Sequence, residues 1–340
     1  MHPNQLDITV PLVKNLIRTQ FPAWSGFEVR PVPSHGTVNA LFRIEEISGP
    51  AERRIEGLTG SDDVRVQGSV ASGEGSRARP SGLERAPSPG RAFVARFPLQ
   101  AGDPGRVRRE LEDEMAAARR LHAISPCPTP QPIALGEPGD GYPLPWAVYT
   151  WLNGTTAYDA DVAGSVSFAE DLARFVLALR AEPTEGRVFT GSWRGGVLTS
   201  QDEYVADGLE RSRGMIDVDA LARLWAVLRE TPRSEPDVWT HRDLMPGNLL
   251  AADGRLAGII DVGTFTVSDP AMDLQPAWNL LDPVARAAFR TALGSDDAEW
   301  ARGMGWSFAQ AIGCLWYYVE TNPVMSRTAH HTLTALLTAS

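Results

Sequence analysis

Cysteine is nearly missing from this sequence: Cys127 and Cys314 are the only two in 340 residues, far apart and outside any CxxC or Cys/His cluster. That scarcity excludes a disulfide framework and offers no structural zinc site. No apolar run approaches the length of a membrane span, and the first residues, Met1-His2-Pro3-Asn4-Gln5-Leu6-Asp7, lack the basic stretch and apolar segment of a secretory leader. A cytoplasmic protein is the expectation, with no membrane partner. Net positive charge is missing too. The 32 Lys and Arg are outnumbered by 42 Asp and Glu, for a formal net charge of -10. Such a balance opposes nonspecific nucleic-acid binding and, if concentrated at a cleft, would gather cationic small molecules. No repeat of solenoid period is present. What remains is ordinary for a globular chain, 43% hydrophobic and 22% charged, and long enough for one large domain or two packed lobes.

Along the chain, residues 5–20 end in an apolar pattern of helical spacing before Phe21-Pro22. Strand-like runs at 27–32 and 38–44 flank Pro33-Ser34-His35-Gly36-Thr37 and read as a β-hairpin. Between about 48 and 90 the composition turns to Gly, Ser, Pro, Arg and Glu, too poor in apolar surface to offset the entropy of ordering. A long flexible insertion is expected there. Structure resumes with a strand at 92–97, a helix at 106–122, and strands near 133–135 and 146–149. After the turn at Leu152-Asn153-Gly154 the pattern becomes helical, over 168–179, 201–213 and 218–229. Strands early and helices late predict an α+β chain of two lobes, 1–152 and 153–340.

The chemistry concentrates in a short stretch. Val238-Trp239-Thr240 runs into His241-Arg242-Asp243, and Asn248 follows five positions after the Asp, ahead of Leu249-Leu250. Phosphoryl transfer needs a carboxylate to orient or accept the proton of the attacking hydroxyl, and an oxygen ligand to help hold the metal that bridges nucleotide phosphates. Asp243 and Asn248 fit those jobs. Past the turn Ala252-Asp253-Gly254-Arg255 comes Ile259-Ile260-Asp261-Val262-Gly263, an Asp leaving an apolar strand into a Gly turn, suited to Mg²⁺. Taken singly, Asp243 and Asp261 also read as turn residues and Asn248 as a local cap. Their order and spacing favour the chemical reading.

These residues resemble the aminoglycoside and macrolide phosphotransferase family, the antibiotic-kinase branch of the protein-kinase-like fold. The likeness includes Trp239 through Leu250, Ile260-Asp261-Val262-Gly263, Ser268-Asp269-Pro270-Ala271-Met272-Asp273-Leu274, Pro276-Ala277-Trp278, and the connector Tyr142 to Trp146 running into Tyr149-Thr150-Trp151-Leu152-Asn153-Gly154. Apart from the insertion it covers nearly the whole chain. It implies a small β-rich N-lobe, a larger helical C-lobe, ATP or GTP with Mg²⁺, and transfer of a γ-phosphoryl group to a small-molecule hydroxyl. By the same resemblance Asp243 is the catalytic base and Asn248 and Asp261 are the metal ligands. His241 is assigned to holding the loop rather than to proton transfer, and Asp269 and Asp273 to capping or loop anchoring.

In the small lobe the resemblance makes His35, Gly36, Thr37 and Asn39 the nucleotide cover, although this loop has one glycine and also reads as a plain β-turn. Tyr149 and Trp151 join the nucleotide-binding set on the connector. Arg96 stands where kinase folds place a phosphate-pairing Lys; it keeps the charge but not the geometry, and a solvated strand Arg is the alternative. Its helix partner is assigned to Glu114, on the border of the Leu111, Met115, Ala118 stripe, with Glu110 close behind. Aminoglycosides and macrolides are candidate acceptors, against a sugar, choline-like or amino-alcohol acceptor of a metabolic kinase, or a nucleotide-binding degenerate kinase. Trp193, Trp278, Trp306, Trp316, Tyr317 and Tyr318 are candidates to line an apolar acceptor site, with helical core as the alternative.

Overall fold

The computed structural model describes residues 5–33, 38–47, 92–191 and 193–339. The expected insertion at 48–90 lies outside the described residues, as do His35, Gly36 and Thr37.

Helix α1 (Val10–Gln20) starts at Thr9, whose hydroxyl accepts from Leu12 N, with Pro11 pre-set for the first turn. The residues before it do not extend the helix, because Leu6 N donates to Leu99 O and so pairs with the chain beyond the third strand. Strands β1 (Glu28–Val32), β2 (Asn39–Glu45) and β3 (Ala92–Pro98) precede helix α2 (Pro104–Ile124), and β4 (Pro132–Gly136) and β5 (Trp146–Thr150) follow it. They form one antiparallel sheet in the order β1-β2-β3-β5-β4.

Strand periodicity decides where Arg96 goes. Phe93, Ala95 and Phe97 are buried on one face, where Phe97 stacks on Trp146 at 4.7 Å and Phe93 on Trp24 at 5.2 Å. Side chains alternate across a strand, so Arg96 projects from the other face. Helix α2 is capped by Asp103 and buries Leu111, Met115, Ala118 and Leu121, leaving Glu114 beside that stripe.

Beyond β6 (Thr155–Thr156) the chain is mainly helical: α3 (Val166–Ala181), α4 (Asp202–Arg211) and α5 (Val218–Leu228). Short strands β7 (Val238–Thr240), β8 (Leu249–Ala252), β9 (Arg255–Ile259) and β10 (Thr266–Ser268) carry the motif loops, with β10 pairing β7 and β8 lying between β6 and β9. Helices α6 (Pro276–Asn279), α7 (Pro283–Leu293), α8 (Asp297–Tyr317) and α9 (Pro323–Ala339) complete the large lobe. The architecture is thus the expected α+β two-lobe fold.

Helix α8 is buried along most of its length, and a polar stripe runs through it at four-residue spacing: Arg302, Trp306, Gln310. Arg302 and Trp306 both reach the buried Asp269, at 3.3 Å from Arg302 Nε and 2.9 Å from Trp306 Nε1. Arg302 also pairs with Glu235 at 2.6 Å and donates to Pro232 O at 2.8 Å. A buried carboxylate is tolerable only when matched in this way, so α8 is pinned to the segment after β10. Trp278 and Trp306 are fully buried, which removes them from the acceptor candidates; Trp193 and Tyr317 are exposed.

Candidate active site

The loop between β7 and β8 is held by one buried carboxylate. His241 N donates to Asp273 Oδ2 at 2.9 Å and Arg242 N to Asp273 Oδ1 at 2.8 Å. Arg242 sits at φ 67°, a left-handed conformation uncommon for a side-chain-bearing residue, and the paired hydrogen bonds stabilise it. Thr264 Oγ1 donates to His241 O at 2.7 Å from the far side. The imidazole of His241 is fully buried with its edge on Phe175, and burial pushes its pKa down. Its neighbourhood is that of a packed residue, and its backbone is what ties the loop.

Asp243 lies inside this loop. Asn248 Nδ2 donates to its carbonyl and to its Oδ2, both at 2.9 Å, and Gln310 Nε2 donates to its Oδ1 at 2.9 Å. Burial raises its pKa, the Arg194 guanidinium opposes that rise, and the Asp261 carboxylate adds to it. A carboxylate with a raised pKa is a better proton acceptor near neutrality.

Asp261 follows β9 in a left-handed conformation, φ 63°, and is half exposed. The preceding Ile260 N donates to Asn248 O at 2.9 Å, which sets the two motif segments side by side. Arg96 Nη2 approaches Asp261 Oδ1 at 3.7 Å and forms an ion pair with Glu114. Tyr149 OH donates to Glu114 Oε1 at 3.4 Å, and the Arg96 guanidinium lies over the Tyr149 ring at 5.6 Å. Burial pulls the Arg96 pKa down, but Glu114 and Asp261 hold it above its usual value. Burial raises Glu114, against the pull of Arg96. Glu110 instead faces Arg106 at the exposed surface.

The structure therefore brings Asp243, Asn248, Asp261, Arg96, Glu114 and Tyr149 to one cleft. Asn39 sits at the end of β2 opposite Pro98, and Trp151 lies under Arg43 at 4.8 Å, so neither touches this cluster directly. Gln310 and Arg194 were not anticipated from sequence. The only signal for Gln310 was a lone amide in an apolar helix; for Arg194 it was a Gly-rich, Trp-bearing loop.

Comparison with known proteins decides the family. Residues 84–306, more than half of the chain, match the model of the phosphotransferase enzyme family. The chain belongs to that family. Among curated relatives, an aminoglycoside 3'-phosphotransferase of Escherichia coli is 30% identical over 151 residues, 40% of this chain and 53% of the relative. One of Salmonella typhimurium is 26% identical over 52% of this chain and 66% of its own length. The chain thus spans about half the length of the first of these relatives. Among solved structures, the GDP complex of aminoglycoside 2'-phosphotransferase-IIIa superposes with a TM-score of 0.63 at 18% identity, covering 96% of this chain and 98% of that one. The macrolide 2'-phosphotransferase of Brachybacterium faecium gives 0.58 at 15%, covering 95% and 97%. At such identities the likeness is one of fold.

Proposed function

We propose that this member of the phosphotransferase family moves the γ-phosphoryl group of ATP or GTP to a hydroxyl of a small molecule, in the cytoplasm, with Asp243 as base. The observation that carries the reading is Asp243 held by Asn248 and Gln310, with a pKa raised by burial, in the same cleft as Asp261 and the Arg96–Glu114 pair.

The acceptor hydroxyl would donate its proton to Asp243 as its oxygen bonds to the γ-phosphorus and the bond to the β-phosphate oxygen breaks, releasing nucleoside diphosphate. Little covalent chemistry falls to the protein, so positioning and electrostatics supply the rate. Arg96, fixed by Glu114 and Tyr149, would hold the nucleotide phosphates; Tyr149, expected to line the nucleotide, is instead buried behind Arg96 and steadies it, which leaves Trp151 to border the nucleobase on the connector. Among the described residues no group of three or more His, Cys, Asp and Glu forms a metal cage. The donor set fits Mg²⁺ shared with phosphates: Asn248 has its amide nitrogen committed to Asp243, leaving Oδ1 to a metal, and Asp261 adds a carboxylate. When bound, that ion would neutralise charge on the β- and γ-phosphate oxygens.

The relatives' names point to aminoglycosides and macrolides as acceptors to try first. The test is release of ADP or GDP by purified protein with Mg²⁺, nucleotide and an acceptor panel, set beside Asp243→Asn. The variant is expected to lose about 10²- to 10⁴-fold in kcat and to bind Mg-ADP as before. A variant that transfers at the wild-type rate sinks the assignment.

A further inference from the structure

The loop between α3 and α4 is built to deliver one side chain. Its centre is the ring of Phe189, against which Gly191, Gly195 and Gly196 pack so closely that an added Cβ would stand 2.7, 3.0 and 3.3 Å from ring atoms. Gly195 also has φ 129°, where other residues are strained. Phe189 N donates to Asp237 Oδ2 at 2.7 Å, and the Arg242 guanidinium lies over the Phe189 ring at 5.1 Å. On either side of the turn the backbone is tied down: Arg242 Nη2 donates to Arg194 O, and Asp269 N donates to Gly195 O at 2.9 Å.

What this construction places is Arg194. Its guanidinium is close enough to Asp243, Cys314 and Tyr204 to feel each electrostatically, so it stands on the α4–α8 side of the base, away from Arg96 and Glu114. Unlike Arg96, it has no ion pair among the described residues, and its Nη1 is buried with no hydrogen-bond partner. The side chain as a whole is half-buried, and a guanidinium that holds a buried N–H without a partner is costly to leave unmatched. A fold that fixes such a group beside the proposed base, through ties to Asp237, Arg242 and Asp269, is arranged for an anion that arrives with the reactants.

We propose that Arg194 is the acceptor-binding contact of this chain, and that the preferred acceptor carries an anionic group, carboxylate or phosphate, which seats on the Arg194 guanidinium while a neighbouring hydroxyl meets Asp243. Guanidinium binds carboxylate and phosphate oxygens in the same forked geometry, so one site serves either chemistry. A polycation would instead bring its ammonium groups against a half-buried positive charge. The inference rests on the phosphotransferase reading above for the direction in which the hydroxyl faces, but its test does not depend on turnover.

Calorimetry on the full chain saturated with Mg-ADP provides that test, with four probes: inorganic phosphate, D-glycerate, glycerol and kanamycin. Phosphate and D-glycerate are expected to bind the wild type, and Arg194→Gln to weaken both about ten- to a hundredfold, the range for a hydrogen bond to a charged group. Arg194→Lys should recover part of the loss, since it restores charge without the fork. Kanamycin is expected to bind Arg194→Gln more tightly than the wild type. The relative strength of the two anion arms reports whether carboxylate or phosphate is preferred. Wild-type protein that binds neither anion, equal anion binding in Arg194→Gln, or kanamycin binding that the substitution leaves unimproved overturns the proposal. Mg-ADP affinity is the control for folding; its absence in the wild type would count against the kinase reading instead, and so separates the two failures.

Discussion

Two arginines flank the candidate active site, and their surroundings are opposite. Arg96 is matched on every side, by the Glu114 carboxylate, the Tyr149 ring and Asp261. Arg194 is fixed as firmly by its backbone but has no ion pair among the described residues. On the proposed reading, the contrast means that the nucleotide half is completed within the chain, whereas the acceptor half awaits charge from outside. Between them stands Asp243, whose pKa Arg194 lowers and Asp261 raises.

Breaking the matched half should give the largest effect. Glu114→Ala leaves Arg96, in a largely enclosed place, only the half-exposed Asp261 at 3.7 Å and is expected to destabilise the fold by roughly 3 kcal/mol, at the low end for a broken buried pair. Denaturant unfolding measures that loss, and Mg-ADP binding should weaken alongside it. A change under about 0.5 kcal/mol, the usual size for a surface substitution, would show that Arg96 and Glu114 are not matched in solution.

Loosening the unmatched half comes next. Phe189→Ala removes the ring around which three glycines fold, so Arg194 loses its fixed position. The expected result is about a tenfold fall in kcat/KM for the acceptor with the nucleotide KM unchanged, the pattern of a misplaced contact rather than of lost chemistry. A matching rise in nucleotide KM would erase the distinction between the halves.

The smallest effect is a shift along the pH axis. As the proposed base, Asp243 acts as its carboxylate, so kcat/KM is expected to climb as it deprotonates, and burial puts that climb above the ordinary aspartate range. Gln310 donates to the charged form and holds the pKa down. Gln310→Leu should therefore raise the pKa and move the acid limb of the pH–rate profile to higher pH, while the rate on the plateau changes little. A shift toward lower pH contradicts the assigned hydrogen bond.

The fold class was legible because its signals are local: strand alternation in Phe93 to Phe97, helical stripes such as Leu111, Met115 and Ala118, and a change of period near Asn153. Asp243, Asn248 and Asp261 were nameable as candidates for the same reason, since one turn and one hairpin carry them all. The helix glutamate was harder. Glu110 and Glu114 share a face, and only tertiary placement sends one to Arg106 and the other to Arg96. Gln310 and Arg194 were out of reach, because they meet Asp243 across 67 and 49 positions of chain, and no spacing rule spans such distances. The large indoles Trp278 and Trp306 could not be told from lining residues by sequence, and burial places them in the core.

Helix α8 touches Asp269 with Arg302 and Trp306, and Asp243 with Gln310, along one rigid rod. Those contacts span eight residues, about 12 Å of axis at 1.5 Å per residue. The rod is a lever. With its lower end clamped, a tilt of roughly 5° sweeps the Gln310 amide through about 1 Å over that arm, enough to make or break its bond to the base. Anything that displaces α9, which packs along α8, would thus tilt the arm and reset the proton affinity of the proposed base.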